Sequence, residues 1–335
     1  MKNIVLGFTI LASIAITSLL GAAEEPIQLW PQGAPNALAH SSKDNATLTP
    51  YVPAQANGAG MLLIPGGSYS GIYEGQAEPF ALWLNQQGIA AFVLRYRLGS
   101  TGYRYPSQLQ DAARAMRYVR TSAAKWKIKP DRLGAMGFSA GGHLVSTLLN
   151  HPEDGEVADG TNEESRLSVR PDLAILCYPV ISMITKPHET SRRNLIGLTP
   201  GDELIRKTSS ELQVRSGLPP CFVWHTTEDK LVPVEHSLLF ATALHEHGVP
   251  YELHLYQHGD HGTGLMGTVH PWMITKKSVF ILPNPLHPFS HPSTARTPPS
   301  TLTSGSRFSS VLHTVCGQSA RHPHPASLPV LRRAL

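Results

Sequence analysis

Cysteine is nearly absent. Cys177, Cys221 and Cys316 are the only three in 335 residues, too few for a disulfide framework to hold the chain together. Cys177 and Cys221 lie in short apolar runs and read as buried thiols; a bridge between them needs adjacent strands in register. Acid is missing from one end: from His261 to Leu335 there are seven Lys and Arg and no Asp or Glu, so the formal +4 of the whole chain hides a net −3 over residues 1–260. A mildly acidic body offers no basic surface to nucleic acid. The stretch 273–335 is basic and rich in Pro, Ser and Thr. It cannot bury enough apolar surface to offset its ordering entropy, and disorder is expected there. What remains is 41% apolar over the whole chain, enough for one large domain or two small ones.

Lys2 precedes an apolar stretch, Ile4 to Leu20, and Gly21 and Ala23 supply small residues before Glu24. This layout predicts a secretory signal over residues 1–23, and hence a periplasmic or secreted protein with no stable membrane insertion after cleavage. The rival is an uncleaved anchor, because 17 residues sit at the edge of spanning length.

Residues 24–60 are polar and punctuated by Pro26, Pro31, Pro35, Pro50 and Pro53, an irregular lead-in with an edge strand. Met61 to Ile64 reads as a buried strand. Ala77, Phe80, Ala81 and Leu84 share a helical face that Gly88 ends, and residues 89–96 form the next strand. Ser107 and Gln110 suggest a capping box for a helix whose apolar stripe is Leu109, Ala112, Ala113, Met116, Val119 and Ala123. Strands follow over 132–137, 171–180, 221–225 and 251–256, with helices over 142–150 and 234–247. Residues 181–218 read as an insertion covering the sheet edge. The alternation predicts an α/β fold, a mostly parallel central sheet with helices on both faces.

The chemistry centres on Gly137-Phe-Ser139-Ala-Gly141, set between a strand and a helix as a nucleophile elbow requires. Ser139 is the candidate nucleophile. Pro65-Gly66-Gly67-Ser68 follows a strand end, where backbone N–H groups approach a ligand closely. Gly67 or Ser68, with Ala140, are the candidate oxyanion donors, and Ser68 stands where a third glycine is usual. Glu228 and Asp229 follow a late strand, and the D-x-x-V-P spacing points to Asp229 as the orienting acid, with Glu228 its competitor. His261, in a glycine-flanked loop after the last strand, is the candidate base, and His258 the alternative. A metal reading of His258, Asp260 and His261 lacks a fourth ligand at a recognised spacing, so neither metal nor other cofactor is expected.

Taken with Leu94-Arg-Tyr-Arg-Leu98, Gly137 to His143, Tyr178-Pro-Val-Ile-Ser-Met183 and Ser210-Glu-Leu-Gln213, these motifs resemble the secreted bacterial α/β-hydrolases of the acetylxylan-esterase-like kind. The resemblance implies an α/β-hydrolase domain over 24–272 and a serine carboxylesterase. Its substrates would be short acyl esters, typically acetyl, of small molecules or plant polysaccharide. It does not imply glycoside cleavage, which needs two carboxylates flanking a sugar bond. Members of that family close with a helix after the histidine loop. Here Trp272 leads into the acid-free tail, which suggests either a natural low-complexity segment or a reading-frame shift near residue 272. Two other readings stand beside the esterase. One is a serine peptidase of the prolyl-oligopeptidase type, for which the lead-in is too short to hold the usual propeller; the other is an inactive pseudoenzyme.

Overall fold

The computed structural model describes residues 23–38, 45–155 and 167–263. Residues 1–22 of the expected signal over 1–23, the whole of the expected tail over 273–335 with Cys316, and the place where a closing helix was in question lie outside the described residues.

The chain runs through β1 (Ile27–Gln28), β2 (Thr47–Tyr51), β3 (Gly58–Ile64), α1 (Glu74–Gln86), β4 (Ala90–Arg95), α2 (Ser107–Thr121), β5 (Ile128–Phe138) and α3 (Ala140–Asn150). It continues through β6 (Ala174–Cys177), α4 (Glu189–Ile196), α5 (Asp202–Lys207), β7 (Cys221–Thr226), α6 (Glu235–Glu246) and β8 (Tyr251–Tyr256). The eight strands form one sheet in the order β1-β2-β4-β3-β5-β6-β7-β8. β1 and β2 are antiparallel to their neighbours, and every pair from β4 through β3 to β8 is parallel.

Alternation along the strands sends side chains to opposite faces. Leu62, Ile64, Leu176 and Val223 join one core with α2, α3 and α6, whereas Met61, Leu63, Ile175 and Trp224 join a second with Ala77, Phe80, Ala81 and Leu84 of α1. The same alternation settles the cysteines. Cys221 belongs to the first core and Cys177 to the second, so both are free and cannot bridge through the sheet. Burial in these cores pushes the Cys221 thiol up to about 12.

Two expected local features differ. The capping box does not form: Pro106 is the N-cap of α2 and Ser107 its first residue, with no side-chain cap. The strand expected over 171–180 is the shorter β6, because Tyr178 turns to φ +37°. Its N–H still bonds the Trp224 carbonyl.

The proline-rich lead-in is pinned by a buried ion pair. Arg97 and Asp111 have fully buried side chains 2.9 Å apart. The carboxylate also accepts from the Trp30 indole at 2.7 Å and from the Arg97 amide at 2.8 Å, and Arg97 Nη1 reaches the Pro35 carbonyl at 2.6 Å. Removing one partner leaves an uncompensated buried charge. Asp111→Ala is therefore expected to lower the unfolding free energy by about 3–5 kcal/mol, read by urea titration; a loss under about 1 kcal/mol, the size of an ordinary surface pair, contradicts the assignment.

Candidate active site

The carboxyl ends of the parallel strands share one edge of the sheet, which is where α/β proteins carry their ligands. Four loops meet there: 65–69 after β3, Ser139 after β5, 227–233 after β7 and 257–263 after β8. Ser139 sits at φ 54°, ψ −119°, a conformation costly for a non-glycine residue. Its N–H bonds the Cys177 carbonyl at 3.0 Å, and its carbonyl accepts from Val180 and His143. The turn is possible because its flanks lack side chains. A Cβ on Gly137 would lie 2.2 Å from the Gly141 carbonyl, and one on Gly141 would lie 2.0 Å from the Ile64 carbonyl.

Ser139 Oγ lies 2.8 Å from His261 Nε2, and His261 Nδ1 lies 2.6 Å from Asp229 Oδ2. Ser139 and Asp229 are 6% and 7% exposed, so this chain of contacts is shielded yet open at its end. The competing residues pair with each other instead: Glu228 Oε1 lies 2.9 Å from His258 Nδ1, both exposed. Among the described residues no three His, Cys, Asp or Glu are grouped to hold a metal ion, and no helix is long and apolar enough to cross a membrane.

Asp229 is saturated. Oδ1 accepts from the amides of Leu231 and Val232, each at 2.9 Å, and Oδ2 from His261 and, at 3.2 Å, His225. Burial works to raise its pKa. The hydrogen bonds from His225, His261 and the Val232 amide outweigh that and hold it well below the usual carboxylate range. His225 is fully buried, with Nε2 also 3.0 Å from the Val232 carbonyl and Nδ1 2.8 Å from Ser237 Oγ. Its Nε2 faces only acceptors, so it carries the proton there and donates to Asp229.

On the other side of Ser139, a Cβ on Gly66 would lie 3.0 Å from the Ser139 Cβ, so the loop touches the elbow. The Gly66 N–H is occupied by Gln76 Oε1 at 2.8 Å, while Gln76 Nε2 donates to the Tyr178 hydroxyl. Tyr178 stands edge-on to the His261 ring at 5.0 Å. Gly67 carries its carbonyl away into bonds from Ser70 and Gly71. Its φ of +129° and a would-be Cβ 2.1 Å from the Gly71 carbonyl require glycine. Among the described residues the N–H groups of Gly67 and Ser68 have no partner. Ala140 is the first residue of α3, where N–H groups lack intrahelical acceptors and the helix dipole favours negative charge.

Sequence reasoning missed His225, Gln76 and Tyr178. His225 is the penultimate residue of the strand before the acid loop, and that position was the available signal. Nothing in spacing links Gln76 on α1 to Tyr178, since the contact is tertiary.

The BD-FAE family model matches residues 50–244, more than half of the chain. The chain belongs to the BD-FAE family. It is 36% identical over 233 residues to an acetylxylan esterase of Xylanibacter ruminicola, covering 67% of this chain and 45% of that protein. Over 204 residues it is 41% identical to endo-1,4-beta-xylanase B of Butyrivibrio fibrisolvens, covering 60% of this chain and 32% of that one. The chain thus spans less than half the length of these two relatives. A crystal structure of an acetyl ester-xyloside bifunctional hydrolase from Caldicellulosiruptor lactoaceticus is similar in fold, with TM-score 0.65 and 42% identity over 72% of this chain and 88% of that one. This BD-FAE member is an acetylxylan-esterase-like protein with the α/β-hydrolase fold.

One buried histidine flanking the site makes the fold acid-sensitive. His236 Nδ1 accepts from the amides of Ile181 and Ser182, and Nε2 meets the Lys186 carbonyl at 3.1 Å. Burial pushes its pKa down to about 4. The unfolded chain takes up a proton below about 6.5 and the folded one does not, so stability is complete above that pH and lost as pH falls toward 4. The loss is about 3 kcal/mol. Urea midpoints between pH 7 and pH 4 should fall more steeply in the wild type than in His236→Asn; equal slopes contradict the assignment.

Proposed function

We propose that this protein is a serine carboxylesterase that hydrolyses short acyl esters, acetyl foremost, carried on plant polysaccharide or its fragments. The observation that carries the reading is the continuous path Ser139 Oγ, His261 Nε2, His261 Nδ1, Asp229 Oδ2, with contacts of 2.8 Å and 2.6 Å.

Asp229 accepts the Nδ1 proton of His261 and fixes the tautomer whose Nε2 is a free base. As Ser139 Oγ bonds to the ester carbonyl carbon, its proton passes to His261 Nε2. The carbonyl electrons move onto oxygen, which turns to the N–H groups of Ala140 and of Gly67 or Ser68. The intermediate collapses, the alcohol leaves with the proton from Nε2, and the acyl group stays on Ser139. Water then gives a proton to Nε2 and attacks the acyl carbon. The acid departs, and Ser139 Oγ recovers the proton.

The saccharide part of the reading draws on the names of the relatives and on the insertion. Helix α4 is capped by His188, whose pKa is lowered by burial and by the nearby His261. Arg192, one turn along, helps line a cavity of about 360 Å³ with Met183, Ile184, Asp202, Ile205 and Arg206. Three apolar and three charged side chains line it, a mixture that suits a polar ligand such as a carbohydrate. Glycoside cleavage is a weaker reading: it requires two available carboxyl groups, whereas Asp229 is saturated and Glu228 pairs with His258 at the surface. Export after removal of residues 1–23, with the catalytic domain over 24–272, completes the proposal.

The test is release of 4-nitrophenol from acetyl, butyryl and octanoyl esters by the wild type and by Ser139→Ala. Turnover should fall with chain length and drop by a factor on the order of 10⁴ or more in the variant. Equal turnover in both proteins, or none in the wild type, contradicts the proposal.

A further inference from the structure

Pro65 and Gly66 are held by the body of the domain: Tyr96 donates to the Pro65 carbonyl at 3.0 Å, and Gln76 accepts from the Gly66 amide. The next residues are a different case. Ser68 and Tyr69 both have φ of +57°, directly after Gly67 at +129°. A non-glycine residue in that region is strained, so two in succession persist only where their surroundings over-determine them.

What determines them comes from the insertion, acting directly through Asn194 and indirectly through His143 of α3, and from the loop after β4. Asn194, on α4, donates from Nδ2 to the Ser68 carbonyl at 3.0 Å. Tyr69 is fully buried, and its hydroxyl lies 2.8 Å from His143 Nδ1. His143, also fully buried, places Nε2 2.7 Å from the Thr208 carbonyl just past α5. A carbonyl only accepts, so Nε2 holds the proton, Nδ1 is the acceptor, and Tyr69 donates to it. Burial lowers the imidazole's pKa to about 4, which keeps it neutral and the direction of the relay fixed. The two contacts act on consecutive backbone units: one pins the Ser68 carbonyl, the other the Tyr69 side chain. Gly99 closes the arrangement. Its N–H bonds the Tyr69 carbonyl at 2.7 Å, and a Cβ on it would lie 2.1 Å from the Asn194 carbonyl.

We propose that the 181–218 insertion clamps the oxyanion loop, with Asn194 and His143 as positioning residues that hold Ser68 and Tyr69 so the free N–H groups of Gly67 and Ser68 face the developing oxyanion. The proposal rests on the esterase reading. An oxyanion exists only at and near the transition state, so loosening its donors lowers kcat and spares KM.

Two variants of the full chain test it, Asn194→Ala and Tyr69→Phe. Asn194 is half-buried and its removal spares the core, so one variant remains folded even if the other does not; thermal midpoints are recorded for both. With 4-nitrophenyl acetate, kcat should fall by about tenfold or more, up to the ~10²-fold of a lost donor, with KM within about twofold. Affinity for phenylboronic acid, whose tetrahedral adduct on Ser139 would set an oxygen in the same hole, should fall by the same factor as kcat. Asn194→Asp, which keeps the size but loses the donor, should behave as Asn194→Ala. Unchanged kcat and boronate affinity in folded Asn194→Ala overturn the clamp, as does a loss confined to KM. A wild type without esterase turnover overturns the esterase reading and the clamp with it, and that is seen before any variant is compared.

Discussion

The site depends on one close approach of backbone to backbone. Helix α3 comes so near the end of β3 that a single methyl group on Gly141 would lie 2.0 Å from the Ile64 carbonyl. That spacing does two things together. It lets the chain reverse at Ser139 with φ 54°, and it brings the 65–69 loop, which begins one residue after Ile64, against the elbow. Ser139, the proposed nucleophile, and the proposed oxyanion donors are therefore set by the same steric constraint. In interiors packed as tightly as organic crystals, a lateral shift of one would displace the other.

The Asp229–His261 arm is built differently, from hydrogen bonds more than from packing. Asp229 receives two amides and two imidazoles, leaving it no freedom to turn and no lone pair for a substrate. His225 and His261 approach the same oxygen, one from the strand that precedes the acid and one from the last loop. Tyr178 then links the two halves: it packs on His261 and, through Gln76, reaches the amide of Gly66. The 65–69 loop and His261 thus share a support, as the proposed acyl transfer requires of a site with low tolerance to small displacements.

Much of this was legible in the sequence where chemistry and spacing are local. Gly137 to Gly141 carries its own steric logic, and the apolar stripe of Ala77, Phe80, Ala81 and Leu84 became a buried helix face, as did Leu109, Ala112, Ala113, Met116 and Val119, whereas Ala123 is buried just past the helix end. The failures are tertiary. Ser107 and Gln110 have the spacing of a capping box, yet Pro106 takes the cap position. The run from Pro171 to Val180 promises ten residues of strand, but the need to bring Val180 back to the Ser139 carbonyl ends β6 at Cys177. Cys177 and Cys221 could not be placed on faces without the register of β6 against β7. His225, Gln76 and Asn194 act through partners 4, 10 and 126 residues away, and only the first interval is short enough to leave a trace.

The central claim is that Ser139 takes the acyl group. Mass spectrometry of peptides from the wild-type protein, quenched in acid during turnover of 4-nitrophenyl acetate, tests it most directly. The account predicts the added mass of one acetyl group on the peptide containing Ser139, and none in Ser139→Ala. Acetylation at another residue with turnover intact, or turnover undiminished in Ser139→Ala, would contradict it.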